Sequence, residues 1–293
     1  MKIYNPNISG QQIGGGWTFR RNLATAMKRI GGAEMVDLMV DCDIYFISGV
    51  TMVDKAEIYN AKDKGKKLVL RVDNMPRKSR NRNTPHERMR EYAGMADAII
   101  YQSNWCRDWI GSFVGFPEKS HVILNGVDTS IFYPPPEKIA TSEKGYLPIA
   151  FKEDKVFLIV QYNRDENKRM PEAFDMYSAE WQKNNKHTLN VVGQFSSDMV
   201  NAKFDLFRGE PFTYYPVCED PHKMADYMRK SDILLYPSYS DGCPNVVIEA
   251  KACGMEVWHK GHAGVGEAAS IVDPSLERMG KEYLSLFQNI CAS

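Results

Sequence analysis

The sequence predicts an α/β protein made of two doubly wound, Rossmann-like domains facing across a cleft. Two observations carry the prediction. Apolar runs of strand length alternate with stretches of helical period from the N-terminus to about residue 133, and the alternation resumes at Val156. Between them stand Pro134-Pro135-Pro136 and a polar stretch to about residue 150, which has the composition of a linker. A length of 293 residues is ample for two cores. The expected division is 1–134 for the first domain, 135–150 for the linker, 151–275 for the second domain and 276–293 for a C-terminal helix.

The first domain opens with a short strand in Met1 to Pro6. Gly14-Gly15-Gly16 then precedes Trp17 to Met27, where Phe19, Leu23 and Met27 fall at helical spacing. A glycine turn at a helix start lets backbone approach a phosphate or a sugar without a clashing Cβ, so Gly15 and Gly16 are candidate ligand contacts; a flexible turn is the plainer reading. Asp41-Cys42-Asp43 has the D-x-D form of a divalent-metal site. It precedes the apolar run Ile44 to Ser48, whereas a parallel sheet binds ligands beyond the C-terminal ends of its strands, so no metal is assigned. Lys67 to Val72 reads as a buried strand with Arg71-Val72-Asp73-Asn74 at its C-terminal end. Asp73 is the ligand-side candidate there, and an Arg71–Asp73 structural pair is the alternative.

Arg77-Lys78-Ser79-Arg80-Asn81-Arg82 follows without apolar period. It reads as a solvated basic loop, or as one that guides an anionic partner such as a nucleic acid, a lipid phosphate or a membrane surface. Thr84-Pro85-His86-Glu87 starts a helix with an N-cap, a proline and a capping-box Glu. His86 is either a surface residue or a loop histidine turned to the cleft. Ala96 to Gln102 is the next buried strand, and Ser103-Asn104 caps a helix over Trp105 to Phe113. His121 to Leu124 reads as a strand followed by an Asn125-Gly126 turn, a fold marker to which no chemistry is assigned.

In the second domain the strand-like run Val156 to Tyr162 leads into Asn163-Arg164-Asp165-Glu166-Asn167-Lys168-Arg169 and a helix from Pro171. Further strand runs are Thr188 to Val192, Phe212 to Pro216, Ile233 to Tyr236 and Glu256 to His259. The most informative segment joins the last two. Pro237 to Cys243 is turn chemistry, and Pro244 to Cys253 is a helical stretch that Gly254 closes. Unpaired N–H groups at that helix start, with the positive end of its dipole, form a seat for a diphosphate. Glu249 lies about one turn inside, where a carboxylate can accept from both hydroxyls of a ribose. Asp241, in the loop before the helix, lies nearer the sugar end.

Asp241 and Glu249 are similar to the E-x7-E signature of the retaining GT-B glycosyltransferases of family 4, and Glu249-Ala250-Lys251-Ala252-Cys253-Gly254 resembles the tail of that motif closely. Asp replaces the usual Glu at the first acidic position and draws the charge back by one methylene. The resemblance implies that Arg164 and Lys168 hold the donor diphosphate, with Arg169 able to substitute for Lys168. It implies donor contacts at Gly15, Gly16, Gly193, Val217, Gly242, Cys243, Pro244, Asn245 and Val246, and a glycine turn with an acid at Gly264 to Glu267. Arg71, Asp73 and His86 fall on the acceptor side, and Leu276 to Cys291 becomes a helix that returns to the first domain. The implied activity is transfer of a hexose from a nucleoside-diphosphate sugar, such as a UDP- or GDP-sugar, to a hydroxyl acceptor, with no cofactor and no metal. Two rivals differ from it in chemistry. A sugar-nucleotide 2-epimerase of the same fold needs another set of cleft carboxylates and histidine, and a non-catalytic nucleotide-sugar-binding subunit would lose the four charges that are present here.

Lys and Arg number 37, as do Asp and Glu, so the formal charge is zero and bulk electrostatics select no partner. The six cysteines show no metal spacing and read as reduced thiols. With no signal peptide and no apolar stretch long enough to span a bilayer, the expectation is a cytoplasmic protein with at most peripheral membrane contact.

Overall fold

The structure is a computed structural model and describes residues 1–6, 14–72, 84–143, 153–161, 166–194, 212–261 and 263–293. The chain forms two compact units, one of residues 1–126, 241–245 and 275–293, the other of residues 127–240 and 246–274.

The first unit holds a six-stranded sheet of β1 (Lys2–Tyr4), β2 (Glu34–Val36), β3 (Ile44–Ile47), β4 (Lys67–Val72), β5 (Ala98–Tyr101) and β6 (Ser120–Val122). All neighbours pair in parallel, in the order β2-β1-β3-β4-β5-β6. Its crossovers are α1 (Gly15–Ile30), α2 (Lys55–Asp63), α3 (Thr84–Met95) and α4 (Asn104–Val114). The strand order reverses between β1 and β3 while every strand runs the same way, and the C-terminal ends of those strands border the crevice in which doubly wound sheets bind ligands.

Strand periodicity sorts the core onto two faces. Tyr45, Ile47, Leu68, Leu70, Val72, Ile99 and Tyr101 point into a cluster covered by α2, α3 and α4. Ile44, Phe46, Val69, Ala98 and Ile100 point the other way, onto Phe19, Leu23, Ala26 and Met27 of α1. Side-chain oxygens cap two of the crossover helices, Asp54 accepting from Ala56 and Glu57 N–H, and Ser103 from Cys106 N–H at 3.1 Å.

The second unit begins with α5 (Pro136–Glu143) and is built on β7 (Val156–Gln161), α6 (Met170–Lys183), β8 (Thr188–Gly193), β9 (Phe212–Tyr215), α7 (Pro221–Arg229), β10 (Ile233–Leu235), α8 (Asn245–Ala252), β11 (Glu256–Trp258) and α9 (Val265–Ala269). Its five strands are parallel in the order β11-β10-β7-β8-β9, so the strand order reverses between β7 and β10. Phe157, Ile159, Leu189, Val191, Ile233 and Leu235 form one core with Met170, Ala173 and Tyr177 of α6.

The last helix, α10 (Leu276–Ala292), belongs to the first unit. Leu276, Met279, Tyr283, Leu286, Phe287 and Ile290 recur at three and four residues and lie in one cluster with the apolar stripe of α1. Gly280 permits the approach, since a Cβ there would stand 3.0 Å from Ala26 Cβ. Phe19, Phe46, Tyr283 and Phe287 meet with ring centroids 5.7 to 6.2 Å apart, mostly edge to face or tilted.

Three segments gain a definite place in the structure. Part of the span read as linker is α5, because a proline run that breaks a strand is also compatible with a helix start. Lys138 of α5 donates to Ser231 O at 2.5 Å, which fixes it to the end of α7. Asn125-Gly126 follows β6, whose described pairing is parallel, and Asn125 is buried with work of its own, described below. In the D-x-D segment, Asp43 Oδ2 accepts Lys2 N–H at 2.7 Å and so ties β1 to the start of β3, while Asp41 closes a short 3-10 turn. No disulfide joins the cysteines, of which Cys291 alone is exposed among the described residues. No helix of the described residues is long and apolar enough to cross a membrane.

Candidate functional site

In the second unit the loops after β7 and β10 are sewn together at the switch point. Asn167 O accepts both Ser238 Oγ and Tyr239 N–H at 3.0 Å, and Lys168 Nζ donates to the hydroxyl of Tyr236, the residue just past β10. Lys168 therefore stands at the C-terminal edge of the two central strands. Arg169 does not duplicate it. Its backbone is left-handed, with φ of 51°, and its guanidinium is ion-paired with Glu172 in the first turn of α6, where Lys260 joins the same carboxylate.

Glu249 sits in the middle of α8. It is partly exposed, yet its carboxylate has no hydrogen-bond partner among the described residues. Desolvation by the surrounding protein pushes its pKa up to about 7. An acid left unpaired at a half-open position is costly to structure, and such groups concentrate at functional sites. Val246 lies one turn before it on the same helix, and Val217 is half-buried in the loop after β9. Gly193 ends β8 at φ of 135°, and a Cβ there would come within 1.6 Å of Gln161 O. Glycine is thus demanded by the close approach of the ends of β7 and β8.

In the first unit a second group of candidates converges on Asn125. Its Nδ2 donates to Cys243 O at 2.8 Å and to Asn245 Oδ1 at 2.9 Å, and its backbone N–H faces Cys243 Sγ at 3.4 Å. Asn245 Nδ2 in turn reaches Gly15 O at 3.4 Å. Gly242 lies against Gln102 and Cys106, where an added Cβ would make ordinary contact at 3.6 Å. Asp241, Gly242, Cys243 and Pro244 are all buried. Gly15 and Gly16 form the first turn of α1, which has no side-chain cap and no acid.

Arg71 is turned inward. It is 2% exposed, donates from Nη2 to Asn125 Oδ1 at 3.0 Å and from Nη1 to Ser48 O at 3.4 Å, and stacks 3.6 Å from the centroid of Phe19. Arg20 approaches the same place from α1, its Nε donating to Ser48 Oγ at 2.5 Å, and Ser48 Oγ passes its hydrogen to Asn5 Oδ1 at 3.0 Å. The C-terminal ends of β1, β3 and β4 thus carry a connected buried polar network. Asp73, Arg164, the basic stretch 77–82 and the side chain of His86 lie outside the described residues.

Several solved structures are similar to this arrangement. HepE of Anabaena, in complex with UDP and glucose, superposes with a TM-score of 0.63 at 14% identity over 100% of this chain and 92% of that one. Sucrose-phosphate synthase of Thermosynechococcus elongatus gives 0.64 at 13% identity over 99% and 94%. AviGT4, a glycosyltransferase involved in avilamycin A biosynthesis, gives 0.64 at 13% identity over 100% and 98%. The chain has the GT-B fold. No family model matches the sequence, and no curated protein does.

Within this GT-B chain two residues that the sequence reading passed over prove central. Asn125 was read as a turn residue, and the signal for its role is an amide placed just past the last strand of the first sheet, at the ligand edge. Tyr236 was read as the tail of an apolar strand. Its place directly before Pro237, where β10 has already ended, is what frees its hydroxyl to meet Lys168.

Proposed function

We propose that the protein is a retaining glycosyltransferase similar to family 4, which moves a sugar from a nucleoside-diphosphate sugar to a hydroxyl acceptor without a metal. The observation that carries the reading is Glu249, a desolvated carboxylate with no hydrogen-bond partner among the described residues, on the helix that follows the β10 loop and beside a switch point that also presents Lys168. A ribose supplies two adjacent hydroxyl donors to a carboxylate that has none among the described residues. The complex of HepE with UDP and glucose supports a uridine nucleotide as the donor carrier.

In the proposed reaction the bond between the anomeric carbon and the diphosphate oxygen breaks, and the acceptor oxygen bonds to that carbon on the same face. The acceptor proton passes to the departing diphosphate. Lys168, with Arg164, and the N–H groups at Asn245 and Val246 offset the charge that builds on the leaving group. Gly193 and Val217 border the base through backbone, and Asp241 takes the sugar hydroxyls. We place the protein in the cytoplasm, where nucleotide sugars are made available.

The test is a panel of UDP-, GDP- and ADP-sugars, with binding and slow release of the nucleoside diphosphate measured for the wild type and for Glu249→Ala. Binding and turnover of one donor, lost in the variant, is the expected result. Failure of every donor to bind would overturn the reading.

A further inference from the structure

We infer that Asn125 is a positioning residue that seats the β10–α8 loop through a four-residue hydrogen-bond relay running Arg71 to Asn125 to Asn245 to Gly15. Every member lies in the first unit. Arg71 Nη2 donates to Asn125 Oδ1 at 3.0 Å, Asn125 Nδ2 donates to Asn245 Oδ1 at 2.9 Å, and Asn245 Nδ2 donates to Gly15 O at 3.4 Å. Arg71 fixes the sense of the relay. A guanidinium only donates, so the oxygen of the Asn125 amide must face it and the NH2 must face the loop. The same NH2 holds Cys243 O at 2.8 Å, and Arg278 Nη2 and Nη1 secure the backbone on either side through Asn125 O at 2.5 Å and Leu124 O at 2.9 Å.

Asn125 is 3% exposed and Arg71 is 2% exposed, so water cannot replace a lost link cheaply. The relay therefore does more than bury polar groups. It spans from the end of β4 to the first turn of α1 by way of the loop that opens α8, and it sets the orientation of the Asn245 amide and of the Cys243 carbonyl. A chain of buried amides with one permitted direction holds a loop in one register, as a donor site needs. The functional half of this inference rests on the donor-binding reading above.

Two readouts separate the relay from that reading. Peptide-resolved alkylation of Cys243 reports the seating of the loop, because its thiol is buried against Asn125 N–H. UDP affinity reports the donor site. The variants are Asn125→Asp, which sets a carboxylate oxygen against two acceptors, with Asn125→Ala, Asn245→Ala and the double alanine variant as milder changes that keep the test alive if Asn125→Asp does not fold. Expected are faster Cys243 labelling in each Asn125 variant, UDP binding about tenfold weaker in each single alanine variant, and no further loss in the double variant, since both cut one chain.

Unchanged Cys243 labelling, or alanine effects on UDP affinity that multiply to about a hundredfold, would overturn the relay. Faster labelling with unchanged UDP affinity would overturn the positioning role. A wild type that binds none of the nucleoside diphosphates would overturn the donor reading and the positioning role together, while the labelling would still decide whether the relay seats the loop.

Discussion

Gly193 and Gln161 approach so closely that a single added carbon on the glycine would stand 1.6 Å from the glutamine carbonyl oxygen. The two residues are register partners at the ends of β8 and β7, and Gln194 N–H already donates to that carbonyl at 2.9 Å. The close approach brings Gln194 onto the end of β7, beside the switch point.

Gly193→Ala should therefore fail in two ways at once. The positive φ of 135° disfavours any side chain, and the clash is with backbone, which cannot rotate aside. A loss of more than about 3 kcal/mol of stability is expected, read as a lower midpoint in urea unfolding. A variant within about 0.5 kcal/mol of the wild type would show that the ends of the two strands are not held together as described.

Glu249 makes stability depend on pH in a stated direction. Its folded pKa, about 7, lies above the ordinary value of 4.5, so the folded state binds the proton more tightly than the unfolded chain. Stability therefore falls as pH rises from about 4.5 to about 7 and levels off above. Glu249→Gln should remove that loss and be more stable than the wild type at pH 8, by at most about 3 kcal/mol, with little difference near pH 4. Urea titrations at the two pH values decide it; a difference that grows toward low pH would refute the raised pKa.

On the proposed function, the same group gives donor binding a pH dependence. Ribose hydroxyls donate to the ionised carboxylate, so wild-type affinity for UDP should rise through about pH 7. In Glu249→Gln that step should vanish, leaving only the titration of the nucleotide itself. Calorimetry at pH 6 and pH 8 on both proteins measures the contrast.

Lys168 and Tyr236 should separate chemistry from positioning. Lys168→Ala removes a cation from the switch point and should lower donor turnover by about a hundredfold. Tyr236→Phe removes only the hydroxyl that Lys168 meets and should cost a few-fold, with unfolding shifted by about 1 kcal/mol or less. Equal losses in the two variants would mean that Lys168 acts only through its bond to Tyr236.

The join of α10 to the first sheet is open to a simple test. Phe287 is fully buried between Phe46 and Tyr283, so Phe287→Ala should cost about 4 kcal/mol with an unchanged dependence on denaturant.

The fold was readable because its signals are local. Lys67 to Val72, Thr188 to Val192 and Ile233 to Tyr236 are apolar runs of strand length, and all three form strands within a residue or two of the expected ends. Glycines at a helix start and a carboxylate one turn inside a helix are likewise local patterns, so Gly15, Gly16 and Glu249 could be picked out. The role of Asn125 could not be read, nor could the partners of Arg71, because those partners lie far along the chain. For Arg71 the sequence offers an acceptor-side place or a pair with Asp73, which lies outside the described residues, and its described partners are Ser48 O, Asn125 Oδ1 and the ring of Phe19. A buried arginine at the end of an apolar strand is a signal of such a network, but the sequence does not name the other members. The linker misreading has the same origin, since a helix begun by proline and fastened through Lys138 to Ser231 has little apolar stripe of its own.

The second unit leaves the first at Gly126 and the chain comes back at Ser275, and these two points nearly touch. A Cβ on Gly126 would lie 2.5 Å from Ser275 O, and on the other side of the crossing Val127 N–H donates to Pro274 O at 2.9 Å. For folding, this short-circuits the chain. The α10 helix is separated in sequence from α1 by nearly the whole protein, and closing so long a loop is slow while the intervening residues are random coil. Once residues 127–274 have folded, their ends are already side by side and α10 is delivered next to its partner. Burial of Phe287 and Tyr283 should thus be a late event, and pulse-labelled amide exchange during refolding should protect β7 and β8 before α10; the reverse order would mean that the terminal helix docks without help from the unit inserted before it.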